Sequence, residues 1–188
     1  LVRGVRQCES DDAVASAAIT YLEGYLWDPP QAKEAFRKAA TIAHGAGRRV
    51  ALTLSDAFCV GRYRPEFVDL LHTGTVDLVF ANESELLSLY ETKDFDAAVK
   101  SLRADARLAV VTRSEKGCVV VSRDAVTAVP AEPVEQVADV TGAGDLFAAG
   151  FLAGLARGKD HRTSARLGGI SAAEVIQHVC PRPAGSPE

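Results

Sequence analysis

Short β-branched and apolar runs alternate with stretches of helix length along most of this chain, an order that builds a parallel sheet covered by helices. Residues 19–22, 50–54, 76–80 and 108–111 are the expected strands. Residues 31–43, opened by Pro29 and Pro30, are an expected helix, with Glu34 and Lys38 as an i,i+4 pair and Gly45 to Gly47 ending it. Residues 64–71, 83–90 and 95–103 follow as shorter helices, and 117–121 with 125–129 reads as a hairpin around Arg123 and Asp124. Two helices, 143–156 and 162–178, come last. No repeat or internal linker interrupts this α/β pattern, while residues 1–16 and 182–188 are expected to be loosely ordered.

Composition narrows the class of function. With 188 residues, 47% of them apolar, the chain can bury a core of single-domain size. A net charge of −4, with no run of Lys or Arg longer than two, speaks against a nucleic-acid partner. The apolar runs are too short or too broken by Gly and Ala to span a bilayer, so no membrane partner is expected. Cys8, Cys59, Cys118 and Cys180 show neither a Cys-x-x-Cys pair nor metal-ligand spacing, which fits a reducing cytoplasm. His44, His72, His161 and His178 are dispersed, each in the manner of a surface or helix-end residue. Residues 1–10 carry Arg3, Arg6 and Glu9 without an apolar core, unlike a signal peptide.

The chemistry concentrates at residues 139–145, Asp-Val-Thr-Gly-Ala-Gly-Asp, which run directly into an apolar helix. The first N–H groups of a helix lack partners within it, and the macrodipole adds partial positive charge, so an anion is favoured there. Gly142 and Gly144 let a ligand approach the backbone closely. Asp145 does not fit a simple phosphate cradle, because a carboxylate repels phosphate. Phosphoryl transfer to a hydroxyl, in contrast, needs a group to accept the hydroxyl proton. Taken alone, a Gly-x-Gly-Asp turn favours reading Asp145 as a capping or dipole-matching carboxylate. The dinucleotide fingerprint fails because Phe147 stands where Gly or Ala is required, and a P-loop fails because Gly158-Lys159 is followed by Asp160.

Residues 139–151 resemble the C-terminal signature of the ribokinase (PfkB) family of carbohydrate and nucleoside kinases. Asn82-Glu83-Ser84-Glu85 is similar to that family's Asn-x-x-Glu motif. Residues 112–117, Thr-Arg-Ser-Glu-Lys-Gly, resemble its Thr-x-Gly-x-x-Gly nucleotide turn, with Ser114 in place of the middle glycine. That turn, together with residues 21–28 and 172–178, is similar to bacterial members of adenosine-kinase type. The likeness runs from about Ala17 to Pro183, with Cys180 and Pro181 standing where similar sequences carry Gly and Ala.

The resemblance implies a ribokinase-like three-layer fold with a mainly parallel central sheet, of which residues 1–188 form the C-terminal portion of one kinase domain. The N-terminal part and the lid are expected to be absent, in keeping with a start at Leu1 and a sequence without methionine. The implied activity is ATP-dependent transfer of the γ-phosphoryl group to a primary hydroxyl of a sugar or nucleoside, adenosine among the candidates. In that scheme Asp145 is the catalytic base, the amides of Gly142, Ala143 and Gly144 form the anion hole, and Thr112, Ser114 and Gly117 bind nucleotide. Asn82 and Glu85 organise Mg²⁺ and phosphate, through water because Mg²⁺ sheds its waters reluctantly. Asp139 and Thr141 offer backbone carbonyls to a monovalent cation such as K⁺. Two alternatives stand beside this: a non-catalytic nucleotide-binding half, and a structural half that associates through its exposed truncated face, as a homo-oligomer or with a partner chain.

Overall fold

A computed structural model describes residues 7–179 of the chain. Six strands lie in the sheet order β1-β2-β3-β4-β5-β6, namely β1 Ile19–Glu23, β2 Arg49–Thr53, β3 Leu78–Asn82, β4 Leu108–Thr112, β5 Cys118–Ser122 and β6 Val126–Val129. β1 with β2 and β2 with β3 pair parallel, and β5 with β6 pair antiparallel as the expected hairpin. The helices are α1 Gln7–Ser16, α2 Pro30–Gly45, α3 Ala57–His72, α4 Glu83–Leu89, α5 Phe95–Asp105, α6 Ala143–Ala156 and α7 His161–Val175. This is the expected α/β architecture with a mainly parallel sheet. Among the described residues no helix is long and apolar enough to cross a membrane.

The chain divides into two compact units, residues 1–109 and 110–188. In the first, the central strands bury nearly everything they carry: Val50, Ala51, Leu52 and Leu54 are fully enclosed, as is Ala109 near the start of β4. Five residues of β1 are each only half-buried. Trp27 follows β1 on a short 3-10 turn, Gly24–Trp27, and is 0% exposed. Its ring meets those of Phe36 on α2 at 5.3 Å and Phe67 on α3 at 5.6 Å, at the tilted angles that aromatic quadrupoles favour. Its indole N–H is satisfied by Glu66 Oε2 at 3.0 Å, and Lys33 Nζ closes the cluster on Glu66 Oε1 at 2.8 Å.

At the N-terminal ends of the strands, Asp77 ties three elements together. Its Oδ2 accepts from Val50 N at 2.9 Å and pairs with His44 Nε2 at 2.8 Å, while Oδ1 accepts from Arg107 at 2.9 Å. We expect Asp77→Ala to lower stability by about 2–3 kcal/mol, since one substitution strips partners from a backbone donor and two cationic or ring donors. Urea unfolding checks this, and a change under 0.5 kcal/mol would contradict it.

The second unit is built on β5, β6 and the α6–α7 pair. The two helices pack closely because small residues face each other: a Cβ on Gly150 would lie 2.6 Å from Leu167 O, and one on Gly168 would lie 2.7 Å from Phe147 O. Phe151, on α6, is fully buried.

Several expectations need correction. Loose order over residues 1–16 does not hold for Gln7–Ser16, which form α1 against α2, with Asp11 Oδ2 bound to Lys38 Nζ at 2.7 Å. That contact also takes Lys38 away from the expected pairing with Glu34. α3 begins seven residues before expected Arg64, because Asp56 caps it through Phe58 N and Cys59 N, and the helix then bends at Tyr63 just before Pro65. β3 is displaced toward Asn82: Val76 N is committed to Leu70 O in the turn leaving α3, so the ladder starts later. α7 stops at Val175 rather than at His178. Residues 1–6 and 180–188, including Cys180 and Pro181, lie outside the described residues.

Candidate active site

In the first unit the Asn-x-x-Glu motif sits where β3 turns into α4. Asn82 Oδ1 accepts from Glu85 N at 2.8 Å and from the Ser84 hydroxyl at 2.6 Å. In return Glu85 receives Asn82 N on Oε2 at 3.0 Å and Asn82 Nδ2 on Oε1 at 2.7 Å. This is a complete capping box, so the fold alone accounts for the pair's spacing. It does not account for burial. Glu85 is only 6% exposed, and burial pushes its carboxyl above the usual range, against the pull of the Asn82 N–H; the nearby Asp56 adds to the rise. Among the described residues no three or more His, Cys, Asp or Glu side chains converge as direct metal ligands. A single carboxylate with two hydrogen bonds suits a hydrated Mg²⁺ held through water better than one stripped of it.

In the second unit Thr112 ends β4 and leads into a 3-10 turn, Ser114–Lys116. Arg113 N donates to Gly117 O at 2.7 Å and Gly117 N to Ser114 O at 3.0 Å, so the turn closes on itself. Gly117 has φ 82°, and a Cβ there would collide with Val129 O and lie 2.5 Å from Ala131 N. Ser114, exposed to solvent, takes φ 52° although it is not glycine.

The irregular stretch 130–142 separates the Gly-Ala-Gly-Asp turn from β6, and the residues just past α7 support that stretch: Ala138 N donates to Ile176 O at 2.8 Å, and Glu135 N to Gln177 Oε1 at 3.3 Å. Asp139 Oδ1 accepts from Thr141 N at 2.9 Å and Thr141 Oγ1 at 2.8 Å. Those two donors, the N–H foremost, hold its carboxyl below the usual range and bring the loop round to Gly142. Gly142 is the N-cap of α6 at φ 79°, a left-handed conformation that favours glycine.

The helix start then differs from the expected anion hole in one respect. Ala143 N already donates to Val140 O at 3.1 Å. The N–H groups of Gly142, Gly144 and Asp145 have no acceptor among the described residues. The free donors are therefore those three; sequence reasoning missed the Asp145 amide because the position of the turn's internal bond is not written in the residue types. A Cβ on Gly144 would meet nothing within 4 Å, so the fold itself does not require glycine there. Asp145 is exposed, and its side chain neither caps α6 nor bonds to any other described residue. The capping explanation of this carboxylate fails; dipole matching remains available to it.

Residues 4–187 match the pfkB family of carbohydrate kinases, and the chain belongs to that family. It is 37% identical over 139 residues to a cytidine kinase of Thermococcus kodakarensis, covering 70% of this chain and 48% of the relative. Over 183 residues it is 31% identical to the adenosine kinase of Saccharomyces cerevisiae, covering 90% and 52% respectively. The crystal structure of adenosine kinase from Sinorhizobium meliloti superposes with a TM-score of 0.91 at 55% identity, over 94% of this chain and 54% of that one. The fold is thus ribokinase-like, and the chain spans about half the length of the curated relatives it matches.

Proposed function

We propose that this chain supplies the nucleotide-side half of an ATP-dependent kinase that transfers the γ-phosphoryl group to a primary hydroxyl of a nucleoside or sugar. The observation that carries this reading is an exposed Asp145 carboxylate without a hydrogen-bond partner among the described residues, beside three free amides at the start of α6. The amides of Gly142, Gly144 and Asp145 hold the oxygens of the transferring group, where negative charge gathers. Asp145 accepts the acceptor's hydroxyl proton as the oxygen attacks in line, with no phosphoenzyme. Thr112, Ser114 and Gly117 bind nucleotide, and Glu85, fixed by Asn82, orients water around Mg²⁺. When bound, the metal would neutralise charge on the β- and γ-phosphates. The carbonyls of Asp139 and Thr141 are candidates for K⁺. A nucleoside acceptor, adenosine or cytidine, is favoured by the identity of the relatives. Free Cys59 and Cys118, both buried, suit a cytoplasmic setting.

A second reading, a half that binds nucleotide without turnover, draws on the chain's coverage of only about half of its relatives. Without an acceptor pocket, water reaches the γ-phosphate and alignment is lost.

Titration of the chain with Mg·ATP tests the nucleotide reading. Saturable binding is expected, and Gly144→Ala should weaken it by about tenfold, because a methyl would occupy the ligand's approach. The same change should raise thermal stability by about 1–4 °C through better helix propensity. No saturable binding by the unaltered chain, or undiminished binding by Gly144→Ala, would overturn the proposed cradle.

A further inference from the structure

The free amides at the start of α6 come from two segments: Gly142 closes the stretch 130–142, while Gly144 and Asp145 lie in the first turn of the helix. Both segments are referred to α7. α6 is set against it by close approach of backbone, since a Cβ on Gly168 would lie 2.7 Å from Phe147 O. The stretch 130–142 is tied to α7 and the residues just past it by Arg166 Nε to Glu132 Oε1 at 3.3 Å, Ala138 N to Ile176 O at 2.8 Å and Glu135 N to Gln177 Oε1 at 3.3 Å. The Gln177 tie differs from the others in working from both ends. The same carboxamide donates through Nε2 to Ala173 O at 2.9 Å, one of the last carbonyls of α7, which have no partner inside the helix. Only one orientation of the amide serves an N–H and a C=O together, and the side chain is half-buried, so it acts as a strut between helix end and loop.

We propose that Gln177 is a positioning residue for phosphoryl transfer: it fixes the stretch 130–142 on the end of α7 and thereby holds the Gly142 amide in register with those of Gly144 and Asp145. This rests on the reading above, in which those amides hold the transferring group, and adds to it a residue that acts through another. Donors stabilise developing charge best when their spacing is set before the charged group arrives. The amides of Gly144 and Asp145 are set by the helix itself. That of Gly142 takes its place from the loop, and so from the ties that hold the loop. Removing the carboxamide leaves the Glu132 and Ala138 ties standing, which loosens the stretch without unfolding it.

Two variants of the 188-residue chain separate positioning from stability. Gln177→Ala removes both the tie to Glu135 N and the bond to Ala173 O; Gln177→Glu keeps an acceptor for Glu135 N and loses the donor to Ala173 O. Both should melt lower than the unaltered chain. Affinities for Mg·ATP and Mg·ADP, measured side by side by calorimetry, isolate the place of the transferring phosphoryl group. Gln177→Ala should weaken Mg·ATP by about tenfold, the scale of one hydrogen bond to a charged group, and leave Mg·ADP within about twofold. Gln177→Glu should keep the ATP-to-ADP ratio of the unaltered chain. An unchanged ratio in Gln177→Ala would overturn the role of Gln177 and leave the nucleotide reading standing. Loss of the ratio in Gln177→Glu would overturn it too, whatever Gln177→Ala does, because the effect would then follow the helix end and not the loop. No saturable ATP binding by the unaltered chain would overturn both readings together.

Discussion

Asp145→Asn, placed in a longer polypeptide that joins this chain to the half its relatives also contain, should lower kcat by about 10²- to 10⁴-fold, the range for loss of a general base. ATP affinity should stay within a few fold, which calorimetry checks on the same preparation used for steady-state release of ADP. The direction follows from the site. The carboxylate bonds to no described residue, so the amide takes nothing from the fold beyond a dipole interaction of about 0.3–1 kcal/mol. Asn also removes a negative charge from beside the transferring phosphate, which argues against any large loss of nucleotide binding. Retention of most of the activity would remove Asp145 from the role of base.

Gly117→Ala should act through the opposite route, destabilising the fold before any chemistry is involved. The added methyl would overlap Val129 O and crowd Pro130 and Ala131, all of them backbone atoms that cannot swing aside. It would also force an L-residue to adopt φ 82° with ψ −130°. Together these should cost about 3 kcal/mol or more, which for a chain of this size lowers the melting temperature by roughly ten degrees. Calorimetric melting of the variant is the check, and a fall of less than about two degrees would contradict the wedge. Set beside Gly144→Ala, the pair sorts the glycines of this chain: one is demanded by neighbouring backbone, the other by nothing within the fold.

What could be read from the sequence follows how local each signal is. The bounds of α6, 143–156, were legible because a Gly turn opens it and the apolar run lasts until Arg157 and Gly158. The β5–β6 hairpin was likewise visible as two short apolar runs either side of Arg123-Asp124. α1 was not, since its anchoring includes an Asp11–Lys38 contact across 27 positions of sequence. The start of α3 had a usable signal in Asp56, but Gly61, Tyr63 and Pro65 broke the apparent helix and drew attention to its second segment. At the site, the motifs named the residues, whereas the division of amides into free and committed depended on the Ala143–Val140 bond. The burial of Glu85 was also hidden, because a capping box looks the same in sequence whether it faces water or core.

The chain's one tryptophan, enclosed at 0% exposure, lies wholly within the first unit, while the turns ending at Gly117 and Asp145 belong to the second. Its emission is therefore a private optical report on residues 1–109, silent about the helix pair that carries Asp145. If red-shift of that emission and loss of helical ellipticity coincide during unfolding, the two units melt as one cooperative body. If the ellipticity falls in two steps, with the emission following only one, each unit has a stability of its own. A ligand bound by the Gly-Ala-Gly-Asp turn would then move one step and leave the other where it was.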